Sequence, residues 1–233
     1  MNHDASPLRR TLLFGVVVLA VVGALVVLRR PLLMAAPRCF ALEWQGCLTT
    51  ENGVVLVTLL TVPLSLLVVW ALAWWRRAVG FAAAWRTSLA EVGMVHGTVP
   101  LVWMTLMPGE NAGLVDGRLS LVPLRDLITM GPLGIVANLL IFAALGFFAP
   151  MRFTALTSVV RVFALGAACS ILIETAQYVL RLDRVSSVDD VLLNAAGAAL
   201  AALASRRWWR VAAEHPVPVS PVSIKQLTLP KKW

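Results

Sequence analysis

Long apolar runs bounded by charged residues dominate the chain. A helix needs roughly 20 mostly apolar residues to cross a hydrocarbon core of about 30 Å. Six runs approach that length, at residues 11–28, 53–75, 88–107, 132–149, 161–180 and 188–205. The third carries Glu91, His96 and Pro100, so a re-entrant or interfacial segment would give a similar pattern. The pattern predicts an all-α, polytopic membrane protein with about six transmembrane helices.

Composition and charge support this prediction. Of the 233 residues, 59% are hydrophobic and only 14% are charged, whereas a soluble domain carries roughly 25% charged residues. The net charge is +8, but the arginines occur in pairs beside apolar runs instead of forming one basic face. We therefore expect membrane lipids and no nucleic acid as partners. The three cysteines and three histidines show no metal-ligand spacing, so neither a metal nor a cofactor is expected.

The distribution of basic residues predicts the orientation. With six spans and both termini in the cytoplasm, 13 of the 20 Lys and Arg residues fall inside and seven outside. Short cytoplasmic loops are enriched in Lys and Arg, so this orientation is favoured. The first run could instead be a signal peptide, but its 18 uncharged residues exceed a usual signal core and Arg29 and Arg30 follow it.

Polar residues inside the predicted spans carry the most information about function. Gly166, Ser170, Glu174, Gln177 and Arg181 are spaced by three or four residues and share one stripe of the fifth span. A carboxylate in a span costs about 2.5–3.5 kcal/mol on insertion scales, so Glu174 needs a partner or a role. The alternative is a packing seam with interhelical hydrogen bonds.

The neighbouring spans supply further polar groups. In the sixth span Asp190, Asn194 and Gly197 share a face, while Asp189 points about 100° away. Both aspartates could also simply stabilise the start of their own helix. In the fourth span the side-chain amide of Asn138 needs a hydrogen-bond partner.

Five ordered elements of the C-terminal half carry a family resemblance. They are Leu-Val-Pro-Leu-Arg at 121–125, Ala-Asn-Leu-Leu-Ile-Phe-Ala-Ala-Leu-Gly-Phe at 137–147, Ile-Glu-Thr-Ala-Gln at 173–177, Arg184, and Val-Asp-Asp-Val-Leu-Leu-Asn-Ala-Ala-Gly-Ala at 188–198. Together they resemble the VanZ-like membrane proteins, named for a protein that raises resistance to the glycopeptide teicoplanin. The chain has Ala144 where the family usually has proline, and Ser187 where it often has aspartate. The resemblance implies a multi-pass protein of the bacterial cytoplasmic membrane linked to glycopeptide tolerance.

The expected organisation has three parts. Residues 1–118 form an N-terminal transmembrane region of about three segments, residues 119–205 the VanZ-like three-helix region, and residues 206–233 a flexible cytoplasmic tail. In the first outer loop Cys39 and Cys47 could form a disulfide or remain free thiols. Gly197 with Ala201 suits close helix packing, either within the chain or between copies, so the oligomeric state stays open.

In this arrangement the polar residues fall in the outer half of the last three spans and could form one pocket open to the outer leaflet. The expected ligand-binding residues are Arg125, Asn138, Gln177, Arg184, Asp189 and Asn194. Such a lining suits a charged lipid headgroup, a lipid-linked cell-wall component or the charged groups of a glycopeptide.

Three functions remain open. The first is a binder that limits glycopeptide access to the envelope. The second is a membrane enzyme acting on a lipid-linked phosphate-bearing substrate, with Glu174 and Asp190 as an acid/base pair. The third is a small transporter, against which the absence of an internal repeat counts.

Overall fold

The computed structural model describes residues 47–213 and, before them, Cys39 and a few residues between 19 and 37. Most of the predicted first span and residues 214–233 of the predicted tail therefore lie outside the described residues. The described helices are α1 (Glu51–Leu60), α2 (Val62–Ala78), α3 (Ala84–Thr105), α4 (Arg125–Thr129), α5 (Pro132–Ile141), α6 (Ala143–Arg152), α7 (Val159–Val179) and α8 (Val188–Ala213). A 3-10 turn, Thr154–Leu156, precedes α7, and two short strands, β1 (Arg118–Ser120) and β2 (Val185–Ser187), complete the fold.

Three described segments are long and apolar enough to cross a membrane: Pro132–Arg152, Val159–Val179 and Val188–Trp209. The bent pair α1 and α2 would be a fourth if it forms one span. The described residues therefore support a helical membrane protein, while the count of six spans and the orientation remain predictions. Helix α3 covers the third predicted segment but is not among these candidates, which is consistent with its polar residues Arg86, Glu91 and His96.

Two of the predicted spans are interrupted. Helices α1 and α2 meet at Thr61 with a bend of 42°, and Pro63 in the first turn of α2 explains it, because proline cannot donate to the carbonyl four residues earlier. At the bend the Thr61 hydroxyl donates to the Val57 carbonyl at 2.8 Å, which also accepts the Thr61 N–H at 2.9 Å. Helices α5 and α6 are separated only by Phe142, whose φ of −109° departs from helical geometry.

Helix α8 is the centre of the C-terminal bundle and packs against α5, α6 and α7. Its buried alanines Ala195, Ala198 and Ala202 leave little space between the helices. Gly197 is needed at the contact with α5, because a Cβ there would overlap the Leu139 carbonyl. This contact uses the small-residue face of α8 for packing within the chain. Helix α3 packs between α2 and α6.

A two-stranded parallel ribbon, which the sequence analysis does not predict, joins two loops at one end of the bundle. Arg118 pairs with Val185, Leu119 with Ser186 and Ser120 with Ser187. Strands of three residues are too short to show a recognisable alternation in the sequence. Helix α8 also continues to Ala213, past the predicted tail boundary at 205, because no proline or glycine occurs before Pro216.

The ribbon end of the bundle also carries a disulfide between Cys39 and Cys47. Next to it, the indole Nε1 of Trp103 donates to the Leu48 carbonyl at 2.8 Å. Because Trp103 lies in the last turn of α3, the disulfide and the C-terminal end of α3 occupy the same end of the bundle.

Candidate functional site

Four carboxylates meet where the ribbon, α4, α7 and α8 come together. This carboxylate cluster consists of Asp126, Glu174, Asp189 and Asp190. Asp126 lies in α4, Glu174 near the C-terminal end of α7, and the remaining two in the first turn of α8. The charge of Asp190 acts on Glu174, and the charges of Asp126 and Asp189 act on Asp190. The fold therefore concentrates negative charge that must be balanced by donors, by Arg184 or by a ligand.

Asp189 anchors the loop that begins α4. Its Oδ1 accepts the N–H of Leu124 at 2.6 Å, and its Oδ2 accepts the N–H groups of Asp126 and Leu127 at 2.9 and 3.0 Å. The side chain is only 2% exposed. These first backbone N–H groups of α4 have no partner within that helix, so the carboxylate satisfies them. Asp189 thus caps a distant helix and is enclosed by the protein.

Ser187 connects two of the four carboxylates and the backbone of Asp189. Its N–H donates to Glu174 Oε2 at 3.0 Å and its hydroxyl donates to Asp126 Oδ2 at 2.6 Å. The same hydroxyl oxygen accepts the N–H of Asp189 at 3.2 Å. The neighbouring hydroxyls of Ser120 and Ser187, with the charge of Arg125, lower the pKa of Asp126, so this group is ionised at neutral pH.

Glu174 and Asp190 can accept further hydrogen bonds beyond those from the described residues, because a carboxylate has about four acceptor positions. Asn138 Nδ2 donates to Asp190 Oδ1 at 2.7 Å, and Glu174 Oε2 accepts the Ser187 N–H at 3.0 Å, with the Ser186 hydroxyl also acting on this carboxylate. The positive charge of Arg184 acts on both carboxylates. Its guanidinium is held by α3, because Nε donates to the Met107 carbonyl at 3.2 Å and Nη2 to the Met104 carbonyl at 3.4 Å. The structure thus brings Glu174, Asp190, Asn138 and Arg184 close together.

An apolar cavity of about 240 Å³ adjoins the cluster. Glu174, Ser186 and Ser187 supply its polar edge. The remaining wall comes from the ribbon, α7 and α8, at Leu119, Leu121, Ile171, Thr175, Tyr178, Val188 and Val191. A carboxylate at the edge of an apolar wall is suited to an amphipathic ligand, because the two parts of such a ligand need opposite environments.

Of the predicted site residues, Glu174 lines this cavity and the others lie outside it. Gln177 donates to the Thr105 carbonyl at 2.8 Å, and Asn194 donates to Ser170 Oγ at 2.8 Å, so both make buried contacts between helices. Arg125 is exposed, and its side chain forms no hydrogen bond or ion pair with the described residues. Arg181 follows the end of α7 with a φ of 50°, so the polar stripe of that helix ends at Gln177.

Sequence reasoning did not assign Asp126, Ser186 or Ser187 to the site. The only available signal was the position of the two serines directly before a helix, which by itself indicates a cap. Within residues 47–213 and the short pieces before them, no group of three or more His, Cys, Asp or Glu side chains is arranged to hold a metal ion.

Comparison with known proteins matches the chain to a family model. The VanZ/LLP1 family model matches residues 94–210, which extends beyond the expected region of 119–205 on both sides. No curated protein and no solved structure matches the chain. The matched region is half of the chain and contains β1, β2 and all of α4 to α7, and it also reaches most of α3 and α8. Since all four carboxylates of the cluster lie within it, the site belongs to the matched region, and the chain is a member of the VanZ/LLP1 family.

Proposed function

We propose that the chain is an integral protein of the bacterial cytoplasmic membrane that binds a lipid-linked envelope component at the carboxylate cluster, and that this binding contributes to glycopeptide tolerance. The observation that carries the proposal is the position of Glu174 on the edge of an otherwise apolar cavity. The cavity accepts part of an acyl or prenyl chain, and the carboxylate binds the polar group attached to it.

The charges of the site restrict the kinds of lipid headgroup that it could bind. Glu174 and Asp190 can accept further hydrogen bonds, whereas both oxygens of Asp189 already accept backbone N–H groups. The headgroup therefore presents hydrogen-bond donors such as amine or hydroxyl groups to the two carboxylates. A phosphate in the same molecule pairs with Arg184, whose charge already acts at this position.

The disulfide supports an outer location for the site. Disulfides persist in oxidising compartments, which for a protein of the bacterial cytoplasmic membrane lie outside the cell. Cys47 adjoins Leu48, which bonds Trp103 at the C-terminal end of α3. Gln177 bonds Thr105 at the same end of α3, one helical turn from Glu174. The carboxylate cluster and the disulfide therefore share one end of the bundle, in agreement with the orientation that the arginine distribution predicts.

Glu174→Gln tests the proposal, because it removes the charge and keeps the shape. Glu110→Gln is the matched control, since Glu110 is an exposed loop carboxylate without an ion pair to the described residues. Cells expressing the parent or each variant at equal levels are compared for teicoplanin susceptibility, and thermal unfolding of the purified proteins checks folding. We expect protection by the parent and by Glu110→Gln, and loss of protection with Glu174→Gln. Equal protection by all three proteins, or none by the parent, would reject the proposal.

An enzyme is the second candidate, favoured by the electrostatic contact between Glu174 and Asp190. Two coupled carboxylates beside an arginine could act as acid and base on a phosphate-bearing lipid. The test is to incubate the purified protein with an envelope lipid extract and compare lipid masses before and after. A new mass that Glu174→Gln fails to produce indicates catalysis, whereas unchanged masses with retained lipid indicate binding.

A further inference from the structure

The opposite end of the bundle contains an arginine, Arg86, whose charge no described residue balances. Two of the three guanidinium nitrogens of Arg86, Nε and Nη2, are buried and have no hydrogen-bond partner in the part of the chain that the structure describes. The third, Nη1, is the accessible nitrogen. Buried donors without acceptors cost free energy, and a guanidinium remains charged at every physiological pH. Arg86 therefore needs an anionic hydrogen-bond acceptor that these residues do not supply.

The same arginine lines an apolar cavity of about 530 Å³. Its walls come from α2, α3, α6 and α8 and include Val69, Trp85, Met151 and Trp208. Tryptophan is enriched where the headgroup layer meets the hydrocarbon core. At this depth of a bilayer the phosphate of a lipid lies next to its acyl chains. The cavity offers a matching environment, with an aliphatic wall, two tryptophans and one guanidinium without a partner among the described residues.

The surrounding side chains give this end an excess of positive charge. Glu91 is shared by Arg76 and Arg152, and its Oε1 accepts from Arg152 Nε at 2.6 Å. Among the described residues this one carboxylate already serves two guanidinium groups and is not paired with Arg86. The Arg207 guanidinium carbon lies 4.1 Å from the centre of the Trp208 ring, so Arg207 adds another positive charge at this end of the bundle. An occupant of this site must therefore be anionic.

We infer that the cavity between α2, α3, α6 and α8 binds an anionic phospholipid of the inner leaflet, with its phosphate on Arg86 and its acyl chain against Val69, Met151 and Trp208. The inference does not depend on the proposed function at the carboxylate cluster, because the two sites are at opposite ends of the bundle. A free phosphate ion would leave the apolar wall unfilled, so the lipid is the better match to the whole cavity.

Native mass spectrometry of the full chain tests the inference. The protein is purified in phosphatidylcholine-containing micelles and titrated with phosphatidylglycerol. Arg86→Gln removes the charge, and Arg77→Gln is the matched control, because Arg77 is exposed at the same end. We expect the affinity for phosphatidylglycerol to fall about tenfold or more with Arg86→Gln, the loss expected for one charge-assisted contact. Arg77→Gln should bind like the parent. An equal loss in both variants would overturn the site.

A second variant keeps the inference testable if Arg86→Gln does not fold. Leu89→Trp fills the cavity from a position that is 42% exposed and leaves Arg86 in place. It should also reduce phosphatidylglycerol binding about tenfold. Unchanged binding in this variant would show that no acyl chain occupies the cavity. Inorganic phosphate is titrated in parallel, and stabilisation of the protein by phosphate as large as that by the lipid would also overturn the inference.

Discussion

The Asp189 carboxylate accepts the backbone N–H of Leu124 at 2.6 Å, although 65 residues separate the two in the chain. Leu124 has a φ of 66°, a left-handed conformation that costs a non-glycine residue roughly 1–2 kcal/mol. The hydrogen bonds from the N–H groups of Leu124, Asp126 and Leu127 hold the loop in this conformation. Asp189 consequently fixes the position of Asp126 and of the start of α4 relative to the bundle.

Asp189→Asn should destabilise the protein by about 2–4 kcal/mol, because an amide weakens three charge-assisted contacts and can place its own N–H groups against backbone donors. Asp116→Asn is the control, since the Asp116 side chain is 91% exposed and its pair with Arg181 is long at 3.4 Å. Thermal unfolding of both variants in one detergent measures the difference. If Asp189→Asn unfolded like the control but lost glycopeptide protection, Asp189 would be a ligand-binding residue instead of an anchor.

Gly197→Ala should destabilise the protein by about 1–3 kcal/mol, because the added methyl group overlaps the Leu139 carbonyl across the contact of α5 and α8. Gly131→Ala provides the comparison. Gly131 has an ordinary φ of −65° and no atom within 4 Å of an added Cβ. Because Gly131 is the N-cap of α5, where alanine is less favourable than glycine, its replacement should cost only about 0.5 kcal/mol. Equal unfolding temperatures for the two variants would contradict the close approach of the helices.

Glu91→Gln should destabilise the end of the bundle where Arg76 and Arg152 converge. The loss of one carboxylate leaves two guanidinium groups next to each other without a counter-charge. The Glu91 side chain is 29% exposed, so we expect about 1–3 kcal/mol and not the full penalty of a buried pair. Urea unfolding beside Glu110→Gln measures the effect, and the prediction fails if the two variants have the same midpoint.

The proposed orientation predicts a labelling pattern for single cysteines. In a Cys169→Ser background, Asp116→Cys should react with a membrane-impermeant maleimide in intact cells, whereas Arg77→Cys should react only after permeabilisation. Both positions are exposed and lie at opposite ends of the bundle. The disulfide of Cys39 and Cys47 keeps these two thiols unreactive without a reductant. The reverse pattern would place the carboxylate cluster in the cytoplasm.

The helices of the C-terminal half could be predicted because apolar length is a local property of the chain. The runs at 161–180 and 188–205 correspond closely to the candidate spans Val159–Val179 and Val188–Trp209. The break at Phe142 could not be predicted, because neither proline nor glycine marks it. The sequence also indicated that Asn138, Glu174 and Asp190 need partners, since polar groups are costly in a span.

The residues that bind Asp189 and Asp190 could not be predicted from the sequence. Asp189 and Asp190 are adjacent and chemically identical, yet one binds backbone groups of α4 and the other binds Asn138 of α5. Which aspartate faces which element depends on the rotation of α8, and packing at Gly197 restricts that rotation. Long-range contacts of this kind leave no local pattern in a single sequence.

The ribbon couples access to the cavity with the chemistry of its carboxylate. Ser187 is the last residue of β2, pairs with Ser120 of β1, and gives its N–H to Glu174. A ligand that separated the two strands would displace Ser187. The same movement would remove the Ser187 N–H from Glu174. Ligand entry and the loss of the hydrogen bond to Glu174 would then occur in one step. A substitution that stiffens the ribbon would therefore slow ligand entry and this change in Glu174 to the same extent.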